Sequence, residues 1–395
     1  MSHFGRDSGR ATRVWSLITI LGLALGVVFG SSWSGPDGAN RIWQIASGAV
    51  DAGADRSDPT DGYYEDLLDA GERRRRDGWR IEPSPPSMGT VERLHETDAV
   101  IWDDPFQRFR LRPNADLTYK GAQIRINEDG LRDRPIPVDP AVRRVAMVGS
   151  SILMGSGVPV DEVFENRFED RVNAGAFGRR ARMASLNFGV PGYRIDQLAD
   201  VVERRVADFN PSVVVLVVND LALNANWSRH LVRLVTEGRE LRYRYLREVV
   251  ADAGVDAGMP VSEIVARLEP YRNRVLSGAL RRVDEWCRER DVPLIFLVLD
   301  QPSDSDAFSR RLAEARPAIE NFGRPILDLS DAFEAVDRPR TLWVEAWDRH
   351  PTSEGHALLA EALGEAIRSN DALADLLLGP ELDSSFGASN APQRP

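Results

Sequence analysis

Cysteine and lysine are almost absent from this 395-residue chain: Cys287 is its one cysteine and Lys120 its one lysine. A single cysteine excludes an internal disulfide and any zinc site built on a cysteine cluster. Cys287 falls in the helical stretch "LRRVDEWCRERD", where it reads as a half-buried structural residue. Without lysine, arginine carries nearly all the positive charge, a habit of composition that points to no function. Histidine is scarce as well. His3, His95, His230, His350 and His356 are the complete set, so any imidazole chemistry draws on these five. A basic excess is also missing, since the formal net charge is −11, which argues against nucleic acid as a partner.

Charge is missing altogether from residues 14–33, "VWSLITILGLALGVVFGSSW", a run of 20 residues. At about 1.5 Å per residue such a helix spans about 30 Å, the thickness of a bilayer core. Arg6, Arg10 and Arg13 precede it and place residues 1–13 in the cytoplasm. A cleaved signal peptide is the rival reading, but its apolar region is shorter and ends in a small-residue cleavage site. An uncleaved single-pass anchor is therefore the expectation. Either reading puts the rest of the chain outside the cytoplasm.

Residues 34–105 read as a linker of turn-formers such as "SGPDGAN" and "EPSPPSMG", with short helical pieces between them. The Arg73–Arg76 run in this stretch reads as a solvated face. From Phe106 the pattern changes. "FRLRPNADLTYKGAQIRINEDGLRD" predicts a small β-region with "NEDG" as a turn. Apolar strands then alternate with amphipathic helices: strands at 145–148, near 185–188, 213–218, 292–300 and 324–329, and helices near 163–172, 194–209 and 352–367. The run "VVVLVV" suits a central parallel strand buried on both faces. Residues 228–292 read as a helical insertion and residues 371–395 as a disordered tail. The alternation predicts a doubly wound α/β sheet across 106–370, in which sites form beyond the carboxyl ends of the strands.

Those ends carry a consistent set of groups. "VAMVGSS" delivers Gly149-Ser150-Ser151, "LNFGVPGY" delivers Gly189, "VVND" delivers Asn219, and the last loop, "DRHPTSEGH", delivers Asp348 and His350. A serine nucleophile needs a base, the base needs an orienting acceptor, and a developing oxyanion needs fixed N–H donors. A phosphate-binding loop is the competing reading of "GSSILMGSG". It has no lysine where a P-loop requires one, and it does not fit G-x-G-x-x-G.

The set resembles the SGNH (GDSL-type) hydrolase superfamily in its membrane-anchored bacterial form, over roughly residues 106–368. Gly149-Ser150-Ser151 matches its glycine–aspartate–serine block, Gly189 its oxyanion glycine, Asn219 its asparagine, and Asp348 with His350 its last block. "NEDGLRD", residues 127–133, is similar to the segment preceding the first block. The resemblance implies a three-layer α/β/α, flavodoxin-like fold with a central parallel sheet. It implies Ser151 as nucleophile, His350 as general base and then acid, and Asp348 as the residue holding the imidazole. Gly189, Asn219 and the Ser151 N–H would form the oxyanion hole. Two positions depart from the family: Ser150 replaces the aspartate, and Asp348 stands two residues before His350 rather than three, with Trp347 at the third position.

The implied activity is an acyl-serine esterase needing no cofactor or metal. Its substrate would be an acyl ester or an acylated glycan, and it would sit on the periplasmic side of the inner membrane. O-acyl transfer to a glycan by the same site, or a silent SGNH module that binds a glycan or partner, are the alternatives. Around the site, Ser150 reads as bonding the turn's backbone, His356 as a packing residue, Asp220 as a loop-fixing residue, and His230 as facing solvent. Tyr193 and Trp227 fit either a pocket lining or aromatic packing.

Overall fold

The computed structural model describes residues 93–379, apart from 179–181, 304 and 347. The expected cytoplasmic segment 1–13, the apolar run 14–33, most of the linker and residues 380–395 lie outside the described residues. Among the described residues no helix is long and apolar enough to cross a membrane.

The central sheet contains β5 (Arg143–Gly149), β6 (Met183–Gly189), β7 (Val213–Val218), β8 (Leu294–Leu299) and β9 (Ile326–Leu329). All neighbours are parallel, in the order β6-β5-β7-β8-β9. In chain order this is 2-1-3-4-5, the flavodoxin-like winding. Alternation along each strand divides its side chains between two cores. Ala146, Val148, Leu186, Phe188, Leu216 and Val218 face one core, and Val145, Met147, Val213, Val215 and Val217 face the other. A strand buried on both faces favours apolar residues throughout, as "VVVLVV" shows.

Ten helices follow in chain order among the described residues: α1 (Ser151–Met154), α2 (Phe164–Asn173), α3 (Ile195–Arg204), α4 (Arg229–Thr236), α5 (Arg244–Ala253), α6 (Val261–Leu268), α7 (Arg272–Glu289), α8 (Ala307–Glu320), α9 (Ser353–Arg368) and α10 (Asp371–Leu378). α2, α9 and α10 fill the core on one face, and α3 through α8 fill the core on the other. The result is a three-layer α/β/α sandwich.

Three boundaries differ from the expectation. Of the expected insertion, α7 is the crossover that parallel β7 and β8 require. Only α4, α5 and α6 are additional to the sheet's winding. The expected disordered tail begins too early, because "DALADLLL" forms α10, capped by the Asn370 side chain and burying Leu373, Leu377 and Leu378. The expected linker runs too far, because Leu94, Ala99 and Val100 are buried in the core.

The small β-region consists of two hairpins, β1 (Val100–Ile101) with β2 (Arg110–Leu111) and β3 (Asp116–Tyr119) with β4 (Ala122–Arg125). Tyr119 pairs with Ala122, so Lys120 and Gly121 form a two-residue turn with φ of +50° and +75°. Positive φ at both central positions is what a type I′ turn demands. Gly130, in "NEDG", forms a separate turn by donating to the Asn127 carbonyl at 3.1 Å. A third hairpin joins β10 (Trp343–Glu345) to β11 (Asp348–Pro351).

Candidate active site

Strand register assembles the first part of the site. Gly149 of β5 pairs with Gly189 of β6, so two of the predicted glycines lie side by side at the carboxyl end of the sheet. β7 lies on the other side of β5. The winding reverses between β5 and β7, and this is where a doubly wound sheet opens a crevice. Ser150 and Asn219 face one another across it, with Asn219 Nδ2 donating to Ser150 Oγ at 2.8 Å. A primary amide has two N–H groups, so this bond leaves the second for another acceptor. Ser150 thus ties the turn to a side chain on β7's exit, not to the backbone as expected.

Ser151 is the first residue of α1, a single turn ending at Gly155 with φ of +70°. A Cβ at Gly155 would lie 2.4 Å from Val163 Cγ2, so both conformation and space require glycine there. Ser151 is 8% exposed. As the first residue of a helix, its N–H has no intrahelical acceptor. α1 packs against both β6 and β11.

β11 carries the second part. Asp348 and His350 are two apart on a strand, and alternate strand residues project to the same face. The two-residue spacing therefore serves a strand, where a loop was expected. Asp348 Oδ1 accepts from the His350 backbone N–H at 3.1 Å and pairs with His350 Nδ1. That contact fixes Nδ1 as the nitrogen facing the carboxylate, with Nε2 as the ring's other nitrogen. Asp348 is fully buried, whereas the His350 side chain keeps 17% of its exposure. Trp347, at the family's usual acid position, lies outside the described residues. β11 then runs into α9, whose N-cap Thr352 accepts from Gly355 N.

Lys120 joins this site unannounced by any sequence motif. From the β3–β4 turn its Nζ forms an ion pair with Asp348 Oδ2, the oxygen that His350 leaves. Burial alone would raise the Asp348 pKa. The adjoining His350 and Lys120 cations outweigh it and hold this carboxyl well below the usual range. The available signal was compositional: one lysine in an arginine-rich chain, at a hairpin turn.

Gly189 is placed differently from the oxyanion expectation. Its N–H donates to Asn187 Oδ1 at 2.8 Å. A backbone N–H has one hydrogen, so serving an oxyanion requires sharing or releasing that bond. What Gly189 does supply is space, since a Cβ there would stand 2.4 Å from the Met154 N of α1. Asn187 is anchored in turn, donating from Nδ2 to Leu153 O at 2.7 Å and to Glu165 Oε1 at 2.6 Å. Its backbone N–H donates to Asp133 Oδ2 at 2.8 Å. The "NEDGLRD" segment therefore acts from behind: Asp133 holds β6 under the site, and buried Arg132 donates to Val158 O at 2.7 Å.

Other candidates prove structural. His356 is buried, and its Nδ1 accepts from Phe164 N at 3.2 Å. Burial lowers its pKa to about 3 and keeps it neutral. Asp220 accepts two bonds from Arg311, at 2.9 and 2.6 Å, and fixes its loop. Tyr193 and Trp227 are buried, donating to Phe109 O and to Glu269 Oε2 respectively, so both pack. His230 does not face solvent. It is buried, with Nδ1 on Asp196 and Nε2 on the Phe106 carbonyl at 2.7 Å. Cys287 is buried, which pushes its thiol up to about 12. Among the described residues no group of three or more His, Cys, Asp or Glu side chains is gathered to hold a metal ion.

No protein-family model matches the chain, and no curated protein matches it. Solved structures with a similar course of the chain include LAE5, an alpha/beta hydrolase enzyme from the metagenome of Lake Arreo in Spain. It is 17% identical over 57% of this chain and 95% of its own, with a TM-score of 0.38. A putative lipolytic protein of the G-D-S-L family from Desulfitobacterium hafniense is 14% identical over 56% of this chain and 98% of its own, at 0.34. Axe2, an acetylxylan esterase from Geobacillus stearothermophilus, is 14% identical over 57% and 93%, at 0.38. Likenesses this distant license no inference about activity, which has to come from the site.

Proposed function

We propose that the chain is an SGNH-type serine esterase. The observation that carries this reading is the Asp348–His350 pair on β11, the strand against which α1, opening on Ser151, packs. In the proposed reaction His350 Nε2 removes the Ser151 Oγ proton as Oγ bonds to the acyl carbon. Negative charge on the carbonyl oxygen is met by the Ser151 N–H and the second N–H of Asn219, with Gly189 joining by releasing Asn187. The tetrahedral intermediate collapses, the leaving alcohol takes the proton from His350, and an acyl-Ser151 ester remains. Water, deprotonated by His350, then attacks that ester, releasing the acid and restoring Ser151. A glycan hydroxyl in place of water turns the same site into an O-acyltransferase.

The location is also proposed. Residues 14–33 would tether the domain to the inner membrane with the site on the periplasmic side, in reach of acylated cell-surface or exported glycans. The second reading, a silent SGNH module that binds a glycan or partner, is favoured by Gly189 and Asn219 both being bonded within the site.

A fluorophosphonate probe separates the two readings. The esterase labels at one site, intact mass rises by one adduct, and Ser151→Ala abolishes it. Absence of Ser151-dependent labelling in protein with native circular dichroism overturns the esterase reading and leaves the binding module.

A further inference from the structure

The reading of Ser151, His350 and Asp348 as a triad leaves one charged neighbour without a role. We propose that Lys120 is a positioning residue of this triad, fixing Asp348 and lowering the proton affinity of His350. The inference rests on the triad reading and extends it.

Four observations support it. The ammonium binds the carboxylate oxygen that His350 leaves, so the two cations divide Asp348 between them. Both partners are buried, with the Lys120 side chain 8% exposed and Asp348 fully buried, so solvent screens the pair little. Lys120 sits at φ +50° in the β3–β4 turn, a conformation that non-glycine residues adopt at a cost. Finally, it is the chain's one lysine.

The surroundings set the sign of its effect. From the hairpin the pair faces Lys120 and Tyr119, whose phenol burial keeps neutral. β10 brings exposed Glu345 opposite Asp348. β11 itself carries Arg349, α9 carries neutral His356 and exposed Glu354, and α1 adds the uncharged Ser151. Lys120 and His350 both pair with Asp348, so removing the Lys120 charge favours the imidazolium.

The test is Lys120→Met beside Lys120→Arg, read by the 15N-NMR titration of His350 and by the pH profile of kcat/KM on a neutral aryl acetate. With five histidines in the chain the resonances are assignable, and His230 serves as an internal control. Lys120→Met is expected to raise the His350 midpoint and the acid limb by about one pH unit. The rate then falls about tenfold on the acid side with KM unchanged, and Lys120→Arg keeps both near wild type. A His350 midpoint and acid limb in folded Lys120→Met that match wild type overturn the proposal. Should the methionine variant not fold, Lys120→Gln keeps a donor toward Asp348 without charge and takes its place. Unfolding of both neutral variants overturns it too, since lysine would then maintain the hairpin and not tune a histidine. A wild type that hydrolyses no ester still shows or lacks the NMR shift, so failure of the esterase reading stays distinct from failure of this one.

Discussion

Two aspartate–histidine pairs lie among the described residues, and they differ in how deeply the imidazole is buried. Asp196 and His230 join α3 to α4, with side chains 4% and 3% exposed. Nδ1 of that ring meets the carboxylate and Nε2 donates to the Phe106 carbonyl, so both nitrogens are consumed in holding the β1–β2 region to the helices. Asp348 and His350 sit on one strand, against which α1 packs, and the ring keeps 17% of its exposure. A carboxylate partner alone therefore does not mark a catalytic histidine. What separates the two rings is exposure, 3% for His230 against 17% for His350.

Mutation of both pairs gives the largest contrast. Ser151→Ala or His350→Ala is expected to lower kcat for ester hydrolysis by about 10⁴–10⁶-fold, and Asp348→Asn by about 10³–10⁴-fold. Asp196→Asn should leave kcat within about twofold while lowering stability by about 3–5 kcal/mol, because it breaks a buried pair. Steady-state kinetics and urea unfolding on the same proteins read both effects. A catalytic collapse in Asp196→Asn with unchanged stability would reverse the assignment of the two pairs.

A smaller effect tests the oxyanion side. Asn219→Ala is expected to cost about 10²–10³-fold in kcat, as for one missing oxyanion donor. Ser150→Ala should cost about tenfold or less, since it removes only the hydroxyl on which the amide rests at 2.8 Å. Equal losses in the two variants would mean that Asn219 acts solely through Ser150.

The strands and the order of the site residues were legible because their signals are local. A run such as "VVVLVV" states its own burial, and turns such as Gly149-Ser150-Ser151 follow directly from their strands. Contacts made across the chain were not legible. Lys120 meets Asp348 from a hairpin far earlier in the sequence, and no local pattern announces an ion pair at that distance. His230 was misjudged although a signal existed: it lies four residues before Leu234, on the buried side of α4, and its acceptor Asp196 comes from another helix. The two-residue spacing of Asp348 and His350 was read on a loop, where it carries no geometric meaning. On a strand, two is the number that puts both on one face.

The smallest effect compares buried carboxylates by their partners. Asp348, beside two cations, has a lowered pKa, so its stabilisation is present above about pH 4 and is lost as pH falls through its folded value. Glu165 and Asp133 share a buried cluster with Arg132. Desolvation raises both, and the Asp133 charge raises Glu165 further. Their sign is opposite: ionisation is disfavoured in the folded state, so stability falls as pH rises above the unfolded carboxylate range of about 4. His356, neutral at a pKa of about 3, masks this trend below about pH 6.5 because the unfolded imidazole protonates there. Above that pH His356 no longer contributes. Between pH 6.5 and 8 the wild-type Tm should therefore fall, at up to about 1.4 kcal/mol of stability per pH unit per proton. Glu165→Gln should flatten that slope, because a neutral amide leaves Asp133 with Arg132 as its counter-ion. Calorimetric scans of the two proteins across that window decide it. A wild-type Tm that holds or rises to pH 8 would mean that Arg132 already neutralises the cluster, leaving these carboxylates ionised like Asp348.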